Sequence, residues 1–190
     1  MFFGSEHGLT EKWYPFEESI RVPLVIQDPR MPKEKRGTTN GDWTLNIDLA
    51  PSLLGAANLP QSHFMQGKDI AQLYLPNDMM LDPAMAAEPW REDWFYEYHM
   101  GDDPITAMDH TGKNWIDASF ALVTKEWKYI LWPQQEYEQQ FHRSLDPYDE
   151  WDLLDKRKNH TDVQTTLEVY EMMKSRFAAL KERAQSGHRV

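Results

Sequence analysis

The sequence predicts an α/β segment followed by a small antiparallel β-sheet that a C-terminal helix covers. Three observations carry that reading. Ile20-Arg21-Val22-Pro23-Leu24-Val25-Ile26 is β-branched and nearly continuous, the pattern of a strand buried on both faces. Ser119–Thr124 and Trp127–Trp132 are strand-like runs separated only by Lys125-Glu126, which predicts a hairpin. Val163, Leu167, Tyr170, Met173, Phe177 and Leu180 recur at spacings of three and four, one apolar stripe on an otherwise polar helix.

Taken in order, Met1-Phe2-Phe3 opens the chain on apolar residues where termini are usually solvated, so further sequence is expected upstream. In the first strand, Pro23 belongs at the start or at an edge. Asp28-Pro29-Arg30-Met31-Pro32 breaks it, and residues 33–41 form a polar loop. A helix follows from Leu49, with Asp48 as N-cap and Pro51 in its first turn. Leu49, Leu53, Leu54 and Ala57 share one face, and Asn58 and Pro60 end the helix. Residues 61–92 read as loop with short helical pieces. Trp94–Tyr98 is a strand, and Tyr137–His142 adds a short one after the hairpin. Asp146-Pro147-Tyr148-Asp149 is a turn. Thr161-Asp162-Val163-Gln164 resembles a capping box at the start of the last helix, which is expected to cover one sheet face.

Composition narrows the function classes. The 190 residues are 41% hydrophobic, 27% charged and 13% aromatic, which is globular and not disordered. The 20 Lys+Arg against 31 Asp+Glu give a net charge of −11, with no basic stripe for nucleic acid. No apolar run reaches the ~18–20 residues of a membrane span. Cysteine is absent, which excludes disulfides, zinc–thiolate sites and a cysteine nucleophile within these residues. The histidines at positions 7, 63, 99, 110, 142, 160 and 188 never adopt HExxH spacing, and there is no GxSxG, P-loop or GxGxxG. The adjacent carboxylates Glu17-Glu18 and Asp102-Asp103 suit a solvated surface, and Asn159-His160-Thr161 is a formal sequon that short chance matches make weak. Motif chemistry alone gives an α+β domain of open activity.

The stretch Ser5-Glu6-His7-Gly8-Leu9, Lys12, then Tyr14-Pro15-Phe16-Glu17-Glu18-Ser19-Ile20-Arg21-Val22-Pro23-Leu24 resembles a block of the sulfatase family, within the alkaline-phosphatase-like superfamily. The resemblance continues through Asn46-Ile47-Asp48-Leu49-Ala50-Pro51-Ser52-Leu53-Leu54 and Gln66-Gly67-Lys68-Asp69-Ile70. It extends over the hairpin Ala121–Ile130 and Asp146-Pro147-Tyr148-Asp149-Glu150 with Leu153-Leu154. These matches, in family order, cover most of the chain. They imply the end of an alkaline-phosphatase-like α/β/α domain over residues 1–75, a loop-rich connection over 76–115 and a C-terminal subdomain over 116–190.

The resemblance also implies roles. Lys12 stands where family members place a lysine on a sulfate oxygen, a point charge suited to stabilising a transferring oxyanion. His7 lies in the Glu-His-Gly turn, as a structural residue first and a supporting site residue second. Glu18 and Arg21 brace the loop, and Gly4 and Gly8 permit its tight backbone. In the 76–115 stretch, Trp90, Trp94, His99, His110 and Trp115 are candidate lining residues, with packing between domains the equal alternative.

The family's nucleophile is a formylglycine made from Cys or Ser in a C/S-x-P-x-R segment, and its calcium or magnesium is held by acidic residues that precede the matched block. This sequence has no Cys and no Ser in that setting, and the metal ligands are likewise absent from it. The expected function is therefore that of a sulfatase C-terminal fragment, inactive alone, whose complete form hydrolyses sulfate esters of sugars or similar small polyanions. Partners expected are sulfated substrates, with neither nucleic acid nor membrane. Two alternatives remain open: a phosphodiesterase or phosphonate hydrolase of the same superfamily, or a non-catalytic interaction or carbohydrate-binding module.

Overall fold

The computed structural model describes residues 14–99, 118–155 and 167–186. They fall into two compact units. One takes the described residues of 1–23 and 93–179, the other those of 24–92 and 180–190.

In the first unit, four antiparallel strands lie in sequence order: β1 Asp93–Tyr98, β2 Ser119–Thr124, β3 Trp127–Trp132 and β4 Tyr137–His142. The expected hairpin turns at Lys125-Glu126. Thr124 Oγ1 closes it, accepting from the Trp127 amide at 2.9 Å and donating to the Trp127 carbonyl at 3.1 Å. Phe95 pairs with Leu122, Leu122 with Tyr129 and Tyr129 with Gln140, so these residues share one face of the pleat.

That face lies under the last helix. Helices are α1 Glu17–Ile20, α2 Leu49–Ala56, α3 Pro83–Ala86 and α4 Leu167–Gln185. The α4 ring of Phe177 meets Phe95 at 5.4 Å and Tyr129 at 5.1 Å, and Met173 is fully buried. Arg176 forms a two-pronged pair with Asp93 at 2.5 and 3.0 Å. The stripe engages later than its spacing predicts: Leu167 is 73% exposed. Val163 and the Thr161–Gln164 capping box lie outside the described residues.

The opposite face carries Ala121, Ile130 and Phe141, and the chain before α1 packs there through Phe16, with Tyr14 alongside. Phe16 stands edge-on to Phe141 at 6.4 Å, and Tyr14 tilts against Trp132 at 5.1 Å. The sheet is thus a middle layer, covered on both sides.

The second unit has no strand among its described residues, and residues 61–92 hold only short helical turns, as expected. In α2, Pro51 falls in the first turn. Asn58 adopts φ 56 and ends the helix: its amide bonds Gly55 O at 3.1 Å and the Leu59 amide bonds Leu54 O at 2.9 Å. Asp48 departs from the expected cap. Its carboxylate reaches back to the Leu45 amide and out to Lys68 N and Arg91, because charge-assisted, two-pronged bonds outweigh one helix-cap bond. The predicted apolar face of α2 is open, with Leu49 45% and Leu53 72% exposed.

The strand expected over Ile20–Ile26 is not formed. Ile20 closes α1 and the backbone beyond it is irregular. Val22, Leu24 and Val25 are 56%, 45% and 93% exposed. A strand needs a neighbour's amides and carbonyls, and all four strands of the sheet lie elsewhere in the sequence.

Candidate functional site

Alternation puts Lys128 on the same face of β3 as Ile130, pointing at the residues of α1. Its side chain is fully buried, and Nζ donates to Glu17 Oε1 at 2.7 Å and Asp149 Oδ2 at 2.6 Å. A buried ammonium is tolerated only with such partners. Asp149 closes the predicted 146–149 turn with φ 56, a left-handed conformation that Asp accepts more readily than most residues. Its Oδ2 also accepts the Glu17 amide at 3.1 Å. Arg143 reaches Glu17 Oε1 at 3.4 Å and the carbonyls of Thr124 and Lys125 at 3.2 and 3.3 Å, fastening the hairpin tip to the same cluster. Asp146 accepts the Glu150 and Trp151 amides at 2.9 and 2.8 Å, holding the turn.

The two carboxylates around Lys128 titrate in opposite directions. Burial pushes Glu17 up, but the charge and hydrogen bond of Lys128, with Arg143, outweigh it and hold Glu17 below its ordinary value. Burial of Asp149 outweighs the same ammonium, and the like charge of Glu17 adds to it, so Asp149 rests above its ordinary value. Elsewhere, hydrogen bonds from Arg30 hold Asp28 down to about 2. Glu138 is pushed up by burial, yet Tyr170 and Lys174 donate to it and leave it lowered. The lowered groups Glu17, Asp28 and Glu138 bind fewer protons folded than unfolded, so the stability they supply is lost as pH falls through their folded values. Asp149 has the opposite sign. The expected net result is loss of structure on acidification between about pH 5 and pH 2. Circular dichroism against pH checks it, and stability that stays flat or rises over that interval would contradict it.

Beside this cluster lies an open polar cleft of about 140 Å³, bounded by Glu17, Arg21, Lys125, Arg143, Ser144 and Asp149 together with Asp146 and Pro147. The bracing expected of Glu18 and Arg21 is carried instead by Glu17. Arg21 is exposed and borders the cleft.

Of the residues singled out from sequence, Gly4, His7, Gly8, Lys12, His110 and Trp115 lie outside the described residues. His99 follows β1, with Nε2 3.2 Å from Glu97 Oε2 and its ring edge-on to Phe120 at 5.3 Å. Trp94 is buried on β1. Trp90 donates from Nε1 to the Trp43 carbonyl at 2.8 Å, with the Arg91 guanidinium 4.9 Å over its ring. Sequence reasoning missed Lys128 as a cluster centre. The signal was present: a lysine alternating with inward residues of a buried strand.

It also missed Arg91, which organises the second unit. Arg91 grips fully buried Asp48 through Nη1 at 2.5 Å and Nη2 at 2.6 Å, and donates to Trp43 O at 3.0 Å. Asp48 further accepts Leu45 N at 2.7 Å and Lys68 N at 2.8 Å. Gly67 permits that approach, since a Cβ there would stand 2.0 Å from the Ile47 carbonyl oxygen.

Among the described residues no group of three or more His, Asp or Glu side chains is placed to hold a metal ion. Glu17 and Asp149 are committed to Lys128, and Asp48 to Arg91. These side chains do not fit the divalent cation that the resemblance implies. No helix among the described residues is long and apolar enough to cross a membrane.

The family described as N-sulphoglucosamine sulphohydrolase, C-terminal, matches residues 5–182. An N-acetylglucosamine-6-O-sulfatase of Bacteroides thetaiotaomicron is 24% identical over 162 residues, 85% of this chain and 24% of that protein. An arylsulfatase of Clostridium perfringens is 24% identical over 154 residues, 80% of this chain and 27% of its own. A solved structure in complex with its substrate D-glucosamine-2-N,6-O-disulfate aligns with TM-score 0.64 at 22% identity, covering 98% of this chain and 32% of that one. The chain therefore spans about a quarter of those curated relatives and a third of the solved structure. The shared fold includes the four-stranded antiparallel sheet and the C-terminal helix.

Proposed function

The chain belongs to the N-sulphoglucosamine sulphohydrolase C-terminal family of sulfatases, and from that premise we propose that it serves a longer protein hydrolysing the sulfate ester of a sulfated sugar. The match over residues 5–182 carries this reading. The activities for which the relatives are named, N-acetylglucosamine-6-O-sulfatase and arylsulfatase, support the substrate class.

In that protein the described residues are a scaffold. The sheet, the Lys128 cluster and the Asp48–Arg91 pair hold the segments on either side of the matched block containing Lys12. Lys12 supplies a point charge to a sulfate oxygen, where developing negative charge needs a fixed donor. The formylglycine and the ligands of a calcium or magnesium ion come from the remainder of the longer protein; the cation supplies charge neutralisation of the sulfate when bound.

The test compares the 190-residue chain with a protein encoded by the in-frame upstream sequence joined to it, both assayed on an aryl sulfate and on glucosamine 6-sulfate with added calcium or magnesium. The longer protein is expected to turn over and the 190-residue chain is not. Lys12→Ala in the longer protein is expected to lower kcat/KM by about 10²–10³. Metal-dependent turnover by the 190-residue chain, or an unaffected Lys12→Ala enzyme, would refute the reading.

A further inference from the structure

The cleft beside the Lys128 cluster has binding chemistry that the scaffold role does not use. We propose that it takes an acidic sugar unit, sulfated or carboxylated, with Arg21, Lys125 and Ser144 on the oxyanion and Asp149 Oδ1 accepting a hydroxyl.

The donors are in place. Arg21, Lys125 and Ser144 are exposed and line the cleft, and neither cation meets a carboxylate among the described residues. With Arg143 and Lys128, four cations stand against the carboxylates of Glu17, Asp146 and Asp149, a locally positive spot on a chain of net charge −11. Fixed positive groups of this kind bind oxyanions by charge-assisted hydrogen bonds.

The acceptor is in place too. The Asp149 side chain is fully buried, its Oδ2 is taken by Lys128 and Glu17 N, and its Oδ1 meets no donor. A buried acceptor left unmet is costly, so the site calls for a hydroxyl. Water alone supplies a donor but leaves the cations unanswered. Size agrees: about 140 Å³ exceeds the ~30 Å³ share of one water several-fold and falls short of the ~300 Å³ of a whole-ligand pocket. One ring edge with its anionic group fits that range. The loop that lines the cleft also exposes Tyr148 and Trp151, at 54% and 51%, flat amphipathic rings suited to a sugar face.

The proposal stands on the cleft, independently of what the longer protein hydrolyses. Its test is a titration of the ¹⁵N-labelled 190-residue chain at low salt with glucose 6-sulfate and with glucuronate, against inorganic sulfate and glucose as controls. Saturable shifts are expected at the amides of Arg21, Lys125 and Ser144 with at least one acidic sugar, with both controls at least about tenfold weaker. Arg21→Ala/Lys125→Ala changes only exposed side chains, so its remaining spectrum should hold while affinity falls at least about tenfold. The absence of saturable shifts, sulfate binding as tightly as the sugar, or undiminished affinity in the double variant would each overturn it. Failure here alongside sulfate-ester turnover by the longer protein would remove this site and leave the sulfatase reading intact.

Discussion

Lys128→Met is expected to lower the local stability of the sheet by about 3–5 kcal/mol, because it strands two carboxylates where water does not reach. Asp149 and Glu17 would face each other across an apolar side chain with no ammonium between them. Their folded pKa values would then both rise, and the variant would regain stability as pH drops from 7, opposite to the parent chain. Native-state hydrogen exchange of the β2 and β3 amides reads the loss directly. Glu17→Gln/Lys128→Met/Asp149→Asn leaves no charge unpaired and is expected to recover most of it. A loss under about 1 kcal/mol for Lys128→Met would mean that water reaches the cluster and the pair is worth no more than a surface bridge.

Arg91→Met is expected to be as severe, about 3–5 kcal/mol, for the same reason in the second unit. Asp48 would keep its bonds from the Leu45 and Lys68 amides but lose both guanidinium contacts. The exchange of α2 amides should rise accordingly. Arg91→Lys distinguishes charge from geometry: an ammonium restores the charge but not the planar fork, so an intermediate loss is expected. Equal exchange in Arg91→Lys and the parent would show that charge alone suffices.

The sheet was legible in the sequence because its information is local. Lys125-Glu126 between two β-branched and aromatic runs specifies a hairpin, and the stripe of Tyr170, Met173 and Phe177 specifies what covers it. The family resemblance was equally legible, carried by short blocks in a fixed order. The run at Val22–Ile26 misled because its apolar pattern reports what a strand prefers, whereas strand formation depends on a partner that no local pattern supplies. The charge clusters were hidden for a related reason. Glu17, Lys128 and Asp149 come together only after folding, and a lysine in a strand looks like surface until the far side of the sheet is covered.

The two-sided covering of the sheet also sets an order of events during synthesis. Glu17 bonds a turn 132 residues further on, and Lys128 reaches back across 111. The strands are complete once β4 has been made, but the face that receives Phe177 stays bare until α4 follows it. Long loop closures of this kind slow folding. A ribosome pausing between β4 and α4 would therefore hold out a half-dressed sheet, and that interval is when a chaperone has most to offer this polypeptide.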